Sequence, residues 1–272
     1  MPNAEVLSWV RSRFMPHIWC PGCGHGVIMH AIIRALIGIG ADRKNTVLAS
    51  GIGCSSRMAG YINACTLHST HGRSLAFSTG IKLHRPDLTV VNVMGDGDCT
   101  AIGGNHFIHA CRRNIDITAI VMNNNIYGMT GGQASPTTPV GAFATTTPYG
   151  AVDPTFDICK LAEGAGASYV ARTTIANPRQ AETFIANGIR KKGFSVIEIV
   201  THCHTQFGRK NNRRLPIENY KYFKENSIPL ALAKDKSPEE LADKIVCGEF
   251  VNKDTPEYTE QYKKLVIDKA RG

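Results

Sequence analysis

The stretch Leu88-Thr89-Val90-Val91-Asn92-Val93-Met94-Gly95-Asp96-Gly97-Asp98 reads as a buried strand that stops at an acidic, glycine-flanked turn. Its short apolar, β-branched run has no polar face to offer water, as expected of a strand covered on both sides in a parallel sheet. The same grammar repeats outward. A helix around Ile102–Arg112 leads to a strand over Ile117–Met122 that ends in Asn123-Asn124-Asn125. Upstream, Val27, Ile28, Ala31, Ile32, Ala35 and Leu36 recur at helical spacing before the stop signals Gly38 and Gly40. A strand over Thr46–Ala49 then runs into Ser50-Gly51-Ile52-Gly53-Cys54. Downstream come two further helix–strand units, with strands near Tyr169–Arg172 and Ser195–Val200, the last leading into Thr201-His202-Cys203-His204.

Strands alternating with helices predict an α/β fold: a mostly parallel sheet flanked by helices. Ligands in such sheets bind beyond the carboxyl ends of the strands. Cys54, Asp96, Asn124 and Cys203 each follow a different strand end, so they are expected to meet along one edge. The Gly/Thr/Pro-rich residues 128–154 form a loop long enough to serve that edge. From about Phe207 the chain is more charged and less periodic. This divides it into residues 1–206, bearing the site, and a charged C-terminal extension, 207–272, expected to contact a partner subunit. Within the extension, Ser237-Pro238-Glu239-Glu240 is a capping box with proline at the first helical position, and Thr255-Pro256-Glu257 opens a further helix.

The chain has 272 residues, 43% of them hydrophobic, and a formal charge of +9. No apolar run suits a bilayer, since Val27–Ile39 is interrupted by Arg34, and Met1–Arg13 lacks the order of a secretory signal. A cytoplasmic protein with no membrane contact is expected. The basic residues are not interleaved with aromatics in one stripe, so no nucleic-acid partner is expected. Their densest cluster is Arg209, Lys210, Arg213 and Arg214, which suits a solvated loop, an anionic cofactor, CoA or an acidic protein; charge alone does not choose. Nine cysteines without a secretion signal direct attention to metal rather than disulfides.

A diphosphate ester needs a divalent cation to sit on a protein, and Mg²⁺ takes oxygen ligands. Gly95-Asp96-Gly97 lets backbone approach a phosphate and presents one carboxylate. Asn124 follows Asp96 by 28 positions, one helix and one strand later. This pairing resembles the fingerprint of thiamine-diphosphate enzymes, and the resemblance implies Mg²⁺ ligands from Asp96, Asn124 and the Ile126 carbonyl. Cys20-Pro21-Gly22-Cys23 bends two thiols toward one point, and with Cys54 and Cys203 there are four. Four thiolates suit a structural zinc or an iron–sulfur cluster, and a lone CxxC also suits a redox pair. Cys54 shares its edge with the diphosphate loop. An electron acceptor has reason to be there, whereas a structural zinc has none.

WCPGCGHG (19–26), SGIGCSSR (50–57), HGRSLAFSTGIKL (71–83), GDGDCTAIGGNHF (95–107), NNNIYGMTGGQASPTTP (123–139) and CHTQFGRKN (203–211) together resemble the β subunit of 2-oxoacid:ferredoxin oxidoreductases over about residues 15–215. The resemblance implies a thiamine-diphosphate-binding fold and a [4Fe–4S] cluster on Cys20, Cys23, Cys54 and Cys203. It places Ile52, Gly53, Cys54, Ser55, His71, Gly97, Asp98, Gly128 and Met129 along the thiamine diphosphate, with His71 the candidate catalytic residue. The family often has Cys-Pro-Thr where this chain has Cys203-His204-Thr205. MPHIWC (15–20) and TQFGRKN (205–211) look most like the 2-oxoglutarate branch, with 2-oxoisovalerate or pyruvate the alternatives.

The implied reaction is oxidative decarboxylation of a 2-oxoacid with CoA to an acyl-CoA, electrons leaving through the cluster to ferredoxin. The family's pyrimidine-side glutamate lies in a second thiamine-related domain not seen in this sequence, so an α subunit is expected as partner. Competing readings are a non-oxidative thiamine decarboxylase and a zinc-stapled binding module. Cys65, Cys99, Cys111, Cys159 and Cys247 read as buried thiols, Trp19 and Phe143 as packing residues. His25, His202 and His204 flank cluster ligands and are possible donors to sulfur.

Overall fold

The computed structural model describes residues 3–271. Ten strands follow one another: β1 Thr46–Ser50, β2 Cys65–His68, β3 Thr89–Gly95, β4 Thr118–Asn123, β5 Ile126–Tyr127, β6 Gln133–Ala134, β7 Tyr169–Thr174, β8 Ser195–Val200, β9 Ser227–Pro229 and β10 Ile245–Asn252. Eight form one sheet in the order β2-β1-β3-β4-β8-β7-β10-β9, while β5 and β6 make a separate hairpin. Every neighbouring pair in the large sheet is parallel except β10 with β7. The five strands expected from sequence are β1, β3, β4, β7 and β8, each within two residues of its predicted ends.

Alternate side chains of the central strands feed two cores. Val91, Val93, Ile120, Met122, Ile197 and Ile199 pack with Ile28, Ile32 and Leu36 of the helix His25–Gly38. Val90, Met94, Ala119, Val121 and Val196 pack on the other face with Phe107 and Ala110 of the helix Gly104–Arg113. Fully burying one such aliphatic side chain contributes about 1.5–3 kcal/mol, so register is strongly specified: a one-residue slip would exchange the faces. The register pairs Ser50 with Val93, Gly95 with Met122 and Asn123 with Val200. The turns after β1, β3, β4 and β8 therefore open side by side at the same edge.

The C-terminal residues return to the sheet. β10 runs antiparallel to β7 through a bulge between Glu249 and Val251, with Tyr169 Oη donating to Glu249 Oε1 at 2.5 Å. The capping box at Ser237 and Glu240 forms as expected and starts the helix Pro238–Leu241. The helix expected from Thr255 is Tyr258–Tyr262, capped by Glu257. No helix among the described residues is long and apolar enough to cross a membrane.

Candidate active site

The Asp96 carboxylate, 2% exposed, lies at the end of β3 with no cationic side chain paired to it among the described residues. Its Oδ2 accepts from Ser135 Oγ at 2.5 Å and Thr137 Oγ1 at 2.7 Å, and its Oδ1 faces the Asn124 N–H at 3.5 Å. Burial pushes the carboxyl above its ordinary range, and the two hydroxyls oppose that shift. Asn124 Oδ1 accepts from the Ile126 N–H at 3.3 Å. A buried carboxylate with no cation beside it, lining one cleft with the amide of Asn124 and the backbone of Ile126, offers oxygen donors of the kind that fit Mg²⁺. Ser135 and Thr137 escaped the sequence reading because they sit in the irregular 128–154 stretch, whose path no periodicity specifies.

Asp98 is buried beside it. Its Oδ1 accepts from the His71 ring Nδ1, the Gly72 N–H at 2.7 Å and the Ile52 N–H at 3.3 Å, while its Oδ2 is buried without a partner. An Nδ1–H given to Asp98 leaves His71 Nε2 available to hold or pass a proton. A Cβ on Gly51 would lie 2.1 Å from Asp98 Oδ2, and one on Gly97 would lie 2.3 Å from the Tyr127 ring, whose hydroxyl donates to the Gly97 carbonyl at 3.1 Å. Both glycines are therefore steric necessities. Ile52, Gly53, Cys54, Ser55, His71, Gly97, Asp98, Gly128 and Met129 all line one cleft, together with Asp96, Asn124 and Ile126. The orphaned Asp98 oxygen and the glycine-lined wall fit a bound polar cofactor.

Cys20, Cys23, Cys54 and Cys203 line a second cavity of about 330 Å³. Cys54, Asn124, Gly128, Met129 and His25 line both spaces. A Cβ on Gly128 would come 3.2 Å from Cys203 Sγ and 3.7 Å from Cys54 Sγ, so a side chain at this shared border would press on both sulfurs. No three of the four sulfurs lie within 4.8 Å of one another. Tetrahedral zinc, with Zn–S about 2.3 Å, needs its sulfurs ~3.8 Å apart, so the thiols as they stand are not drawn up for zinc, whereas four thiols facing one cavity fit an iron–sulfur cluster by their donor chemistry. Burial, reinforced by the neighbouring thiols, pushes Cys23 up to about 12 and Cys54 up to about 11, so metal loading must displace protons. Around the cavity, Trp19 Nε1 donates to the Cys54 carbonyl at 2.7 Å, and Thr205 Oγ1 lies 3.8 Å from Cys20 Sγ and 3.6 Å from Cys203 Sγ.

His25 Nδ1 is 3.2 Å from Cys23 Sγ, and burial lowers its pKa to about 4, leaving a neutral ring. Cys99, Cys111, Cys159 and Cys247 are buried as expected; Cys65 is not, because β2 is an edge strand and exposes it. Trp19 is buried, but Phe143 is half-exposed and is held through its backbone, which Asn211 clamps by two 2.9 Å hydrogen bonds. Asp157, Cys159 and Glu198 lie close enough together to suggest a metal, yet Arg172 fills that role, reaching Asp157 at 2.5 Å and Glu198 at 2.7 Å.

Residues 51–199 match the family model described as thiamine pyrophosphate enzyme, C-terminal TPP binding domain. Fold, cleft and match together define a thiamine-diphosphate-binding subunit. The chain is 54% identical over 261 residues to 2-oxoglutarate synthase subunit KorB of Methanocaldococcus jannaschii, covering 96% of this chain and 97% of that one. It is 38% identical over 229 residues to the 2-oxoacid:ferredoxin oxidoreductase subunit beta of Saccharolobus solfataricus, covering 84% and 74%. The solved 2-oxoglutarate:ferredoxin oxidoreductase from Magnetococcus marinus, with 2-oxoglutarate, coenzyme A and succinyl-CoA bound, superposes with a TM-score of 0.86 at 30% identity over 99% of this chain and 92% of that one. This chain belongs to the family of β subunits of 2-oxoglutarate:ferredoxin oxidoreductases.

Proposed function

We propose that this chain is the coenzyme- and cluster-bearing half of an enzyme that oxidises 2-oxoglutarate with CoA to succinyl-CoA and CO₂, passing electrons through a [4Fe–4S] cluster to ferredoxin in the cytoplasm. The observation that carries the reading is the shared wall: Cys54 and Gly128 line both the Asp96 cleft and the four-cysteine cavity. The two spaces share a border, so electrons leaving the cleft would meet sulfur next. The relatives' names and the ligands of the Magnetococcus complex support the substrate and CoA.

Thiamine diphosphate, when bound, supplies an electron sink for the departing carboxylate. This chain's residues do the rest. Asp96, Asn124 and the Ile126 carbonyl hold Mg²⁺. Backbone at Gly53 and Gly97 admits the diphosphate. His71, oriented by Asp98, is the proposed catalytic proton carrier, and Cys20, Cys23, Cys54 and Cys203 hold the cluster. The residues lining the cleft include no glutamate. The pyrimidine-activating carboxylate is therefore assigned to an α subunit, with the part of the 207–272 extension from β9 onward the proposed contact.

The test is anaerobic co-purification with the α subunit. The expected complex is brown, holds about four irons per β chain, bleaches with dithionite, and turns over 2-oxoglutarate faster than pyruvate or 2-oxoisovalerate. A colourless protein with one zinc would overturn the reading.

A further inference from the structure

The basic cluster at 209–214 has no part in the cleft, and it lies on a segment whose two ends meet the loop of Cys20 and Cys23. Two contacts bracket it. Thr205 Oγ1 lies 3.8 Å from Cys20 Sγ on one side, and on the other a Cβ on Gly22 would come 2.6 Å from the Pro216 ring, so the two loops touch. The segment between them is held in place. Asn211 Nδ2 donates to the carbonyls of Phe143 and Phe207, each at 2.9 Å, and Asn219 Nδ2 donates to the Arg213 carbonyl at 2.7 Å. Arg213 lies 3.9 Å over the Tyr222 ring.

None of Arg209, Lys210, Arg213 or Arg214 pairs with a carboxylate among the described residues. Glu218, the nearest acid in sequence, is turned back to accept the Leu215 N–H at 2.8 Å. Cys20 is exposed, so the cavity reaches the surface here. Beside it stand Ile18, Leu215 and Ile217, at 66%, 54% and 55% exposure. A few exposed aliphatics within a rim of uncompensated charge is the composition of a transient protein interface.

We infer that this face docks a small acidic protein that carries one electron at a time, placing it over the Cys20 side of the cavity. The inference rests on the oxidoreductase reading above. Each 2-oxoacid converted to its CoA thioester and CO₂ releases two electrons and one proton, so two carrier molecules are reduced in turn. Undocking between them requires an interface held by screened charge more than by area.

The test uses the reconstituted αβ complex with a small acidic ferredoxin or, separately, methyl viologen as acceptor. Arg209→Glu/Arg214→Glu is expected to raise the ferredoxin KM at least tenfold at low ionic strength and to flatten its salt dependence. Methyl viologen reduction should be unchanged, and Arg209→Lys/Arg214→Lys should behave as wild type. An unchanged ferredoxin KM, or loss of the α subunit from the variant complex, overturns the inference and in the second case gives the face to that subunit. Failure of the wild type to reduce even methyl viologen would instead count against the oxidoreductase reading itself.

Discussion

Thr137 Oγ1 donates to Asp96 Oδ2 at 2.7 Å although 41 positions separate the two residues, and the same hydroxyl lies 2.9 Å from Asn123 Oδ1. One side chain of the long loop thus packs between the carboxylate at the end of β3 and the last residue of β4, with its single proton given to the carboxylate. Removing a buried hydrogen-bonding group costs about 1–3 kcal/mol. Thr137→Val should therefore weaken Mg²⁺-dependent thiamine diphosphate binding about tenfold in a fluorescence titration, with the far-ultraviolet spectrum preserved. Unaltered affinity would mean that the loop hydroxyl does not position Asp96.

Asp96 itself trades stability for binding. Burial holds its carboxyl above the ordinary value. A group raised on folding favours the fold below its unfolded pKa, and that contribution is lost as pH rises through the folded value. The cofactor-free chain should lose stability as pH climbs from the ordinary carboxylate range through the raised value. Asp96→Asn removes the charge. Its cofactor-free Tm at pH 7 is expected to rise by several degrees, at about 2–4 °C per kcal/mol, while the gain on adding Mg²⁺ and thiamine diphosphate disappears. Calorimetry with and without ligand reads both effects; a variant that keeps the ligand-dependent gain would remove Asp96 from the metal site.

Gly97→Ala places a methyl 2.3 Å from the Tyr127 ring carbon that bears the hydroxyl. The ring cannot retreat without giving up its hydrogen bond to the Gly97 carbonyl. Overpacking of this kind costs about 1–3 kcal/mol. A fall in cofactor affinity that exceeds the fall in Tm is expected. Equal retention of both would show that Tyr127 moves freely.

Arg172 is the cation of a buried cluster with Glu198 and Asp157, and Asn123 Nδ2 also donates to Glu198 at 2.8 Å. Breaking a buried pair from one side costs about 3–5 kcal/mol. Arg172→Met should lower denaturant stability by that order, and Arg172→Met/Glu198→Gln should recover much of it. If the double variant is no better than the single, the loss comes from packing against Phe250 rather than from a stranded charge.

The parallel strands were legible because β3, β4 and β8 are buried on both faces and their interiors are apolar apart from Asn92 in β3 and Glu198 in β8. β2 and β10 were not. Cys65–His68 is a four-residue edge strand with mixed exposure, and Gly248 and Glu249 interrupt the apolar pattern of β10, whose pairing is decided by β7. The same contrast holds in the site. Asp96, Asn124, Cys54 and Cys203 could be placed together because each sits one turn past a strand whose direction and neighbours the alternation implies.

The sequence by itself thus determined the five parallel strands at the centre of the sheet, the edge at which their turns open and the residues that follow them, since these follow from periodicity and from turns of a few residues. Only the tertiary structure decided that Ser135 and Thr137 close on Asp96, that Gly128 borders both cavities, and that the segment carrying Arg209–Arg214 begins and ends against the Cys20–Cys23 loop. Those contacts join segments far apart along the chain through loops without a period. Their closure is set by the packing of the whole molecule, which no local pattern encodes.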